Sequence, residues 1–218
     1  MGMRAPGASE GLDYFPTPPW AARAGGELIR RFDPLAVSCW EPAAGGGHMA
    51  HGLRDYFDVV HETDIASYGR SIELHDFVQQ SRAYPPAVGG VHWIVTNPPF
   101  NLAEDFVRIG LAHAGRGVAM LVRLAFLEGQ KRHALLHGDW PVRVVAPFAE
   151  RVPMVKGRWD PDASSATAYA WFLWLHPHVA EGLPDAPILT PIAPGAKARL
   201  SRLSDLERFA PGEPGSLL

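Results

Sequence analysis

A tetrapeptide with clear chemical potential ends an apolar run in the middle of the chain. VHWIVT is followed by Asn97, Pro98, Pro99 and Phe100. Proline fixes its own φ at about −65° and keeps the preceding residue extended, so the side-chain oxygen of Asn97 and the carbonyl oxygen of Pro98 are rigidly held acceptors. Two such acceptors can take both hydrogens of an amino group conjugated to an aromatic ring, which bends the nitrogen and frees its lone pair for attack. Phe100 would stack on that ring, and no metal is needed.

A glycine-rich loop follows the first apolar run of the chain. EPAAGGGHMAHGL contains Glu41, Pro42, Gly45 and Gly47 ahead of a predicted helix. Glycines permit a tight turn and close approach of a ligand to the main chain. The loop has neither dinucleotide spacing nor a phosphate-loop ending, and no basic residue accompanies it. Because a carboxylate favours a cation, Glu41 suits a ligand with an adenosine half and a cationic half. A simple turn is the alternative.

Acidic residues end the next two apolar runs. Asp64 could accept hydrogen bonds from both hydroxyls of a ribose, with Glu62 as the alternative for that role. Asp76 is suited to an adenine amino group, and Phe77 could pack against the purine face. Each residue alone is compatible with a solvated loop. Together they fall at successive strand ends, where ligands bind in open α/β sheets.

Strand-like and helix-like segments alternate along the chain, which predicts an α/β fold with helices on both faces of a parallel sheet. The last run, ATAYAWFLWLH, follows another strand without an intervening helix and is predicted to run antiparallel at the sheet edge. We expect residues 1–12 to be disordered, residues 13–200 to form one catalytic domain and residues 201–218 to be a tail. The predicted seven strands lie in AVSCWE, FDVVHETD, SIELHDF, VHWIVTN, VAMLVR, VRVVAPF and ATAYAWFLWLH.

Composition limits the classes of function. The 218 residues carry a net charge of −3 and 47% hydrophobic residues, which permits a sizeable core but supplies no global attraction for a polyanion. The basic residues between Arg123 and Arg158 could form one positive rim or an ordinary surface. The lone Cys39 fits a reducing compartment, and there is no apolar run of about 18 residues, so we expect a cytoplasmic protein without a membrane partner.

With these motifs in this order, the chain resembles the S-adenosylmethionine-dependent amino-methyltransferases of the adenine-N6 type, over roughly residues 13–175. The resemblance implies a Rossmann-like class I methyltransferase sheet, seven strands mostly parallel with an antiparallel last strand, and S-adenosyl-L-methionine as cofactor. NPPF is the catalytic motif of that family. The early segment DYFPTPPW resembles the part that contacts the methionine end of the cofactor, which implicates Tyr14, Phe15, Thr17 and Pro18. The implied cofactor residues are these four with Glu41, Pro42, Gly45, Gly47, Asp64, Asp76, Phe77 and Asn97.

The family covers the target base with a hairpin, and RVPMVKGRWDPDASS occupies the corresponding place in this sequence. Lys156, Arg158 and Trp159 are therefore implied to bind the substrate together with Phe100, although Trp159 could equally be a packing residue. His48 and His51 could share a metal, but no cysteine lies near them and we predict no metal site.

The sequence permits several hypotheses for the methyl acceptor. The favoured hypothesis is methylation of adenine N6 in DNA; the alternatives are adenine N6 in structured RNA, or a catalytically silent cofactor-binding subunit. Protein-glutamine methylation is a further alternative, but enzymes of that group more often resemble an NPPY pattern, and its tyrosine is absent from this sequence. Little sequence is left for target recognition after the catalytic core, so we expect loops, an oligomer or a separate specificity partner to supply it.

Overall fold

The computed structural model describes residues 13–80 and 90–209. Within them, eight strands form one sheet in the order β3-β2-β1-β4-β5-β7-β6-β8. All neighbouring pairs are parallel except those made by β7, which runs antiparallel to β5 and β6. The strands are β1 (Ser38–Glu41), β2 (Val59–Asp64), β3 (Glu73–Leu74), β4 (Trp93–Thr96), β5 (Gly117–Arg123), β6 (Val144–Pro147), β7 (Tyr169–Leu175) and β8 (Ile188–Leu189).

The antiparallel strand β7 lies inside the sheet, so the prediction that it forms an edge is wrong. Every residue of YAWFLWL in β7 is buried. A strand this apolar is stable when both faces are covered and both edges are paired, and β7 is inserted between β5 and β6. The outer position is taken by the short strand β8, an eighth strand that the sequence did not reveal. The predicted mostly parallel α/β sheet is confirmed.

The helices are α1 (Pro19–Phe32), α2 (His48–Leu53), α3 (Ala103–His113), α4 (His133–His137), α5 (Ala196–Leu200) and α6 (Leu203–Phe209). Side chains alternate along the strands and produce a core on each face of the sheet. One core contains Trp93, Trp171 and residues of α1 and α2, and the other contains Trp40, Trp174 and residues of α3.

Helix α1 was not predicted from the sequence. Gly25 and Gly26 lie in its middle, and glycine pairs lower helix propensity. The structure gives them a packing role: a Cβ on Gly25 would lie 2.4 Å from the Trp171 ring, and one on Gly26 would lie 2.5 Å from Tyr56. The helix therefore approaches β7 closely, and Trp171 Nε1 donates to Ala21 O at 3.0 Å.

Part of the predicted C-terminal tail is folded. Arg23 in α1 donates to both carboxylate oxygens of Asp205 in α6 at 2.7 Å, and both side chains are buried. A buried, doubly hydrogen-bonded ion pair fixes α6 against α1, so the end of the domain at residue 200 is placed too early. Residues 1–12 and 210–218, predicted as disordered and as part of the tail, lie outside the described residues. No helix in the described ranges is long and apolar enough to cross a membrane.

Candidate functional site

A cleft of about 360 Å³ opens at the carboxyl ends of β1, β2 and β4. Because these strands are parallel, their final residues meet at one edge of the sheet. The cleft brings together twelve of the residues predicted from the sequence: Tyr14, Phe15, Thr17, Glu41, Pro42, Asp64, Asp76, Phe77, Asn97, Pro98, Pro99 and Phe100.

Asn97 has one side-chain atom anchored and the other unpaired. Its Nδ2 donates to the carbonyl oxygen of Phe15 and to Oγ1 of Thr17, both at 3.1 Å, and contacts Met154 Sδ at 3.6 Å. A backbone carbonyl can only accept, so Phe15 fixes which end of the amide is nitrogen. Oδ1 is buried and has no hydrogen-bond partner among the described residues. A buried acceptor without a partner is unfavourable until a donor arrives.

Glu41 presents a second unpaired acceptor to the cleft. Its side chain is 2% exposed, and Oε2 has no hydrogen-bond partner in the described part of the chain. Burial, reinforced by the nearby Glu62 carboxylate, raises the pKa of Glu41 well above its usual value. A carboxylate in this position is stabilised by a cation, which agrees with the predicted preference of the loop.

The glycine loop is fixed by Asp64. The backbone N–H groups of Gly45 and Ala66 donate to the two carboxylate oxygens at 2.8 and 3.0 Å, and burial raises the pKa of this side chain. Gly45 has a φ of +50°, and a Cβ there would lie 2.5 Å from the Tyr14 ring. Gly47 has a φ of +82° and precedes α2. Both positions favour glycine for the same two reasons: each has a positive φ, and a Cβ on Gly47 would lie 2.6 Å from the Arg70 guanidinium.

Asp64 and Glu62, the two acids considered for the ribose hydroxyls, differ in their present partners. The oxygens of Glu62 pair with Arg54 and Arg70, while Asp64 lines the cleft. Arg70 also donates to the carbonyl oxygen of Gly45 at 3.3 Å and so braces the loop. No sequence pattern marks Arg70 as a site residue.

Tyr68 is another cleft residue that was missed. It is the one residue other than glycine with positive φ in the described ranges, at 49°. Its ring lies 4.5 Å from that of Tyr14, measured between centroids, and Tyr14 Oη accepts from the N–H of Gly46 at 3.2 Å. Strained backbone often occurs at functional sites, but the φ of Tyr68 could not be read from the sequence.

Asp76 and Phe77 form the far wall of the cleft. Asp76 Oδ1 accepts from the N–H groups of Val78 and Gln79 and thereby holds the turn after β3. Phe77 is 3% exposed and packs on Phe106 with ring centroids 4.7 Å apart. The Phe77 ring therefore belongs both to the core and to the cleft wall.

Phe100 is half-buried at the mouth of the cleft. Its ring lies 5.2 Å from that of Phe15, and its N–H donates to Asp13 at 3.3 Å. The guanidinium carbon of Arg123 lies 4.1 Å from the Phe100 ring centroid, which is a cation–π contact. The sequence marks Arg123 only as one member of a basic region.

The remaining predicted residues lie around the cleft. Pro18 is buried, and its carbonyl oxygen accepts the first hydrogen bonds of α1. Lys156 and Arg158 are exposed on either side of Gly157, whose N–H donates to Tyr14 O at 2.9 Å. Trp159 is 8% exposed and packs near His48 and Phe209, so its position offers no support for stacking on a base.

The two histidines considered as metal ligands have other contacts. The His48 ring stacks on Phe209 with centroids 4.0 Å apart, and His51 Nε2 lies 3.2 Å from Asp205. Burial lowers the pKa of His48 to about 4. Within residues 13–80 and 90–209, no group of three or more potential ligands could hold a metal ion.

Comparison with solved structures identifies the fold. A protein from Listeria monocytogenes described as a class I S-adenosylmethionine-dependent methyltransferase superposes with a TM-score of 0.61 and 13% identity, over 92% of this chain and 73% of that one. The chain has the class I methyltransferase fold. A protein from Pyrococcus horikoshii described as an RNA methyltransferase gives a TM-score of 0.57 and 12% identity, covering 80% of this chain and 91% of its own.

A protein from Vibrio vulnificus described as a modification subunit of a type I restriction enzyme gives a TM-score of 0.54 and 13% identity. The match covers 92% of this chain but 52% of the Vibrio chain, so this chain spans about half of that subunit. No family model and no curated protein sequence matches the chain.

Proposed function

We propose that the protein is an S-adenosylmethionine-dependent methyltransferase that modifies the N6 amino group of adenine in DNA. The observation that carries the proposal is the unpaired, buried Oδ1 of Asn97 in a cleft that also contains Phe100. An amide acceptor beside an aromatic ring matches an aromatic amine in both hydrogen bonding and shape. The class I methyltransferase fold supports the same reaction class.

The residues of the cleft fit the cofactor. Glu41 Oε2 is an unpaired buried acceptor suited to the ammonium group of the methionine part. We assign Asp64 to the ribose hydroxyls, and Asp76 and Phe77 to the adenine, because all three line the cleft. Gly45 leaves room beside Tyr14 that a side chain would fill. When bound, the cofactor supplies a methyl group on a positively charged sulfur.

The protein's own contribution is to hold and activate the amine. Asn97 Oδ1 and the Pro98 carbonyl oxygen accept the two amine hydrogens and direct the nitrogen lone pair towards the cofactor side of the cleft. Phe100 stacks on the base and excludes water from one side of it. After methylation the nitrogen carries an additional proton, which it releases to water because no strong base is needed for a cationic nitrogen. We propose that a partner or oligomer contributes to target recognition, as the similarity to a type I restriction enzyme's modification subunit suggests.

Labelled S-adenosylmethionine offered with separate DNA, RNA and protein pools tests the proposal. We expect the label in N6-methyladenine after digestion of the DNA, and at least a hundredfold less label with Asn97→Ala. Label in RNA adenosine would overturn the choice of acceptor but leave the chemistry intact. Label in protein or cytosine, or equal transfer by both proteins, would refute the proposal.

A further inference from the structure

A second groove lies beside the candidate active site. It has a volume of about 410 Å³ and runs between the end of β5 and the segment before β7. The N–H of Leu124 donates to Ala168 O at 2.8 Å and joins its two sides. Leu127 is 44% exposed and forms part of the apolar lining of the groove. The lining residues are Arg123, Leu124, Ala125, Leu127, Glu128, Thr167 and Ala168.

Arg123 connects this groove to the cleft. Its guanidinium packs on Phe100, which lines the cleft, while Arg123 itself lines the groove. Tyr169 hydrogen-bonds to Arg123 and limits where the guanidinium can move. Among the residues that the structure describes, no carboxylate forms an ion pair with Arg123, whereas Arg23, Arg54, Arg70, Arg116 and Arg199 all have one.

We propose that this groove binds the nucleotide next to the reacting base, with Arg123 contacting its phosphate. The inference rests on the proposed function, because it assumes that an adenine occupies the cleft. An arginine that has no acidic partner can bind a phosphate without breaking an ion pair, and its planar donors match two phosphate oxygens. The exposed Leu127 and the neighbouring alanines suit the apolar faces of a sugar or base. Glu128 would accept from an amino or hydroxyl group of that nucleotide.

The proposal distinguishes a nucleic-acid strand from a free nucleoside. A strand places a phosphate beside its target base, but adenosine has none, so Arg123 acts on the first and not on the second. If Arg123 instead supports the Phe100 ring, its loss should weaken the binding of the oligonucleotide and of adenosine equally. DNA and RNA share the phosphate chemistry and are separated by testing both.

The experiment measures binding by the full chain, with fluorescence anisotropy of adenine-containing single-stranded DNA and RNA oligonucleotides and calorimetry of adenosine. For Arg123→Gln we expect about tenfold weaker oligonucleotide binding, a salt dependence reduced by about 0.7 in the log–log slope, and unchanged adenosine binding. Arg123→Lys should retain the slope and lose part of the affinity. Arg199→Gln is the matched control, because it removes an exposed arginine on α5 and should change neither.

Equal losses for oligonucleotide and adenosine, or no loss for either nucleic acid, would overturn the proposal. Thermal unfolding of each variant separates these results from misfolding. Methyl transfer to DNA that is equal in wild type and Arg123→Gln would reject the groove assignment while the proposed function stands. Arg123-dependent binding without any methyl transfer by the wild type would reject the function and keep the groove.

Discussion

Asn97 is predicted to have two separable roles, because its amide nitrogen anchors the segment before α1 while its oxygen is free for the substrate. Asn97→Ala removes both roles. Thr17→Val keeps the size of the side chain and removes one anchoring hydrogen bond, from Asn97 Nδ2 to Oγ1 at 3.1 Å. The pair of variants therefore separates the structural part from the chemical part.

The magnitudes follow from the hydrogen bonds. A typical intramolecular hydrogen bond contributes about 1 kcal/mol, so Thr17→Val should weaken cofactor binding by about fivefold with a small effect on turnover at saturation. Asn97→Ala loses the bonds to both Phe15 and Thr17, about 2 kcal/mol in all, and should weaken cofactor binding by up to about thirtyfold. It should also lower turnover at saturation by about 100-fold to 1,000-fold, because an acceptor that acts in the transition state is lost.

Calorimetry with S-adenosylmethionine gives the cofactor affinities, and turnover under cofactor saturation gives the effect on the methyl-transfer step. The reasoning would be refuted if Thr17→Val and Asn97→Ala reduced saturated turnover by the same factor. That result would mean that the anchored segment, and not the Asn97 oxygen, limits the reaction.

Three further predictions concern the loop, the buried acid and the C-terminal helix. Gly45→Ala should weaken cofactor binding by more than tenfold in calorimetry, because its Cβ would lie 2.5 Å from the Tyr14 ring. Burial raises the pKa of Glu41, and binding of the cationic cofactor must lower it again. Cofactor affinity should therefore rise with pH, by up to tenfold per pH unit, over the range in which Glu41 loses its proton in the free protein. Glu41→Gln should remove this pH dependence in calorimetric titrations at several pH values. Asp205→Ala should lower the free energy of unfolding by about 3 kcal/mol in urea, because it removes the two hydrogen bonds that Arg23 donates to Asp205 and leaves the buried guanidinium with Asp55 as its acidic partner. Burial alone would raise the pKa of Asp205, but the hydrogen bonds from Arg23 outweigh burial and hold this pKa below its ordinary value of 3.8. The stabilisation that the Asp205–Arg23 pair gives the folded state is therefore fully present above pH 3.8 and is lost as the pH falls through the lowered pKa.

Each of these predictions has a matched control. Gly182 also has a positive φ, +81°, but nothing lies within 4 Å of a Cβ added there, so Gly182→Ala tests backbone strain without a clash. If Gly182→Ala and Gly45→Ala weakened cofactor binding equally, the clash argument would be contradicted. Glu73→Gln removes an exposed acid and should leave the pH dependence intact. Asp160→Ala breaks the exposed pair with Arg158 and should cost less than about 1 kcal/mol, and an Asp205→Ala variant as stable as this control would disprove the role of the buried pair.

Many of the predicted site residues line one cleft because they end strands. Asp64 and Asn97 follow apolar runs, and parallel strands bring such ends together without any knowledge of distant contacts. Tyr68, Arg70 and Arg123 could not be found this way, because their roles depend on contacts to Tyr14, Gly45 and Phe100 across the fold. For the same reason α1 was missed: its glycines lower local helix propensity, and their benefit arises from packing against Trp171 and Tyr56.

The orientation of the Asn97 amide links the early segment to the chemistry. Since the Phe15 carbonyl oxygen can only accept, it selects the amide orientation in which Nδ2 faces α1 and Oδ1 is left without a partner. An unpaired buried acceptor costs about 1–3 kcal/mol, and an amine donor entering the cleft would recover that free energy at the reacting nitrogen. Any change that frees Asn97 to rotate removes this preorganisation even if the side chain itself is retained. We therefore expect the segment from Tyr14 to Thr17 to contribute to activation of the acceptor as well as to binding of the cofactor.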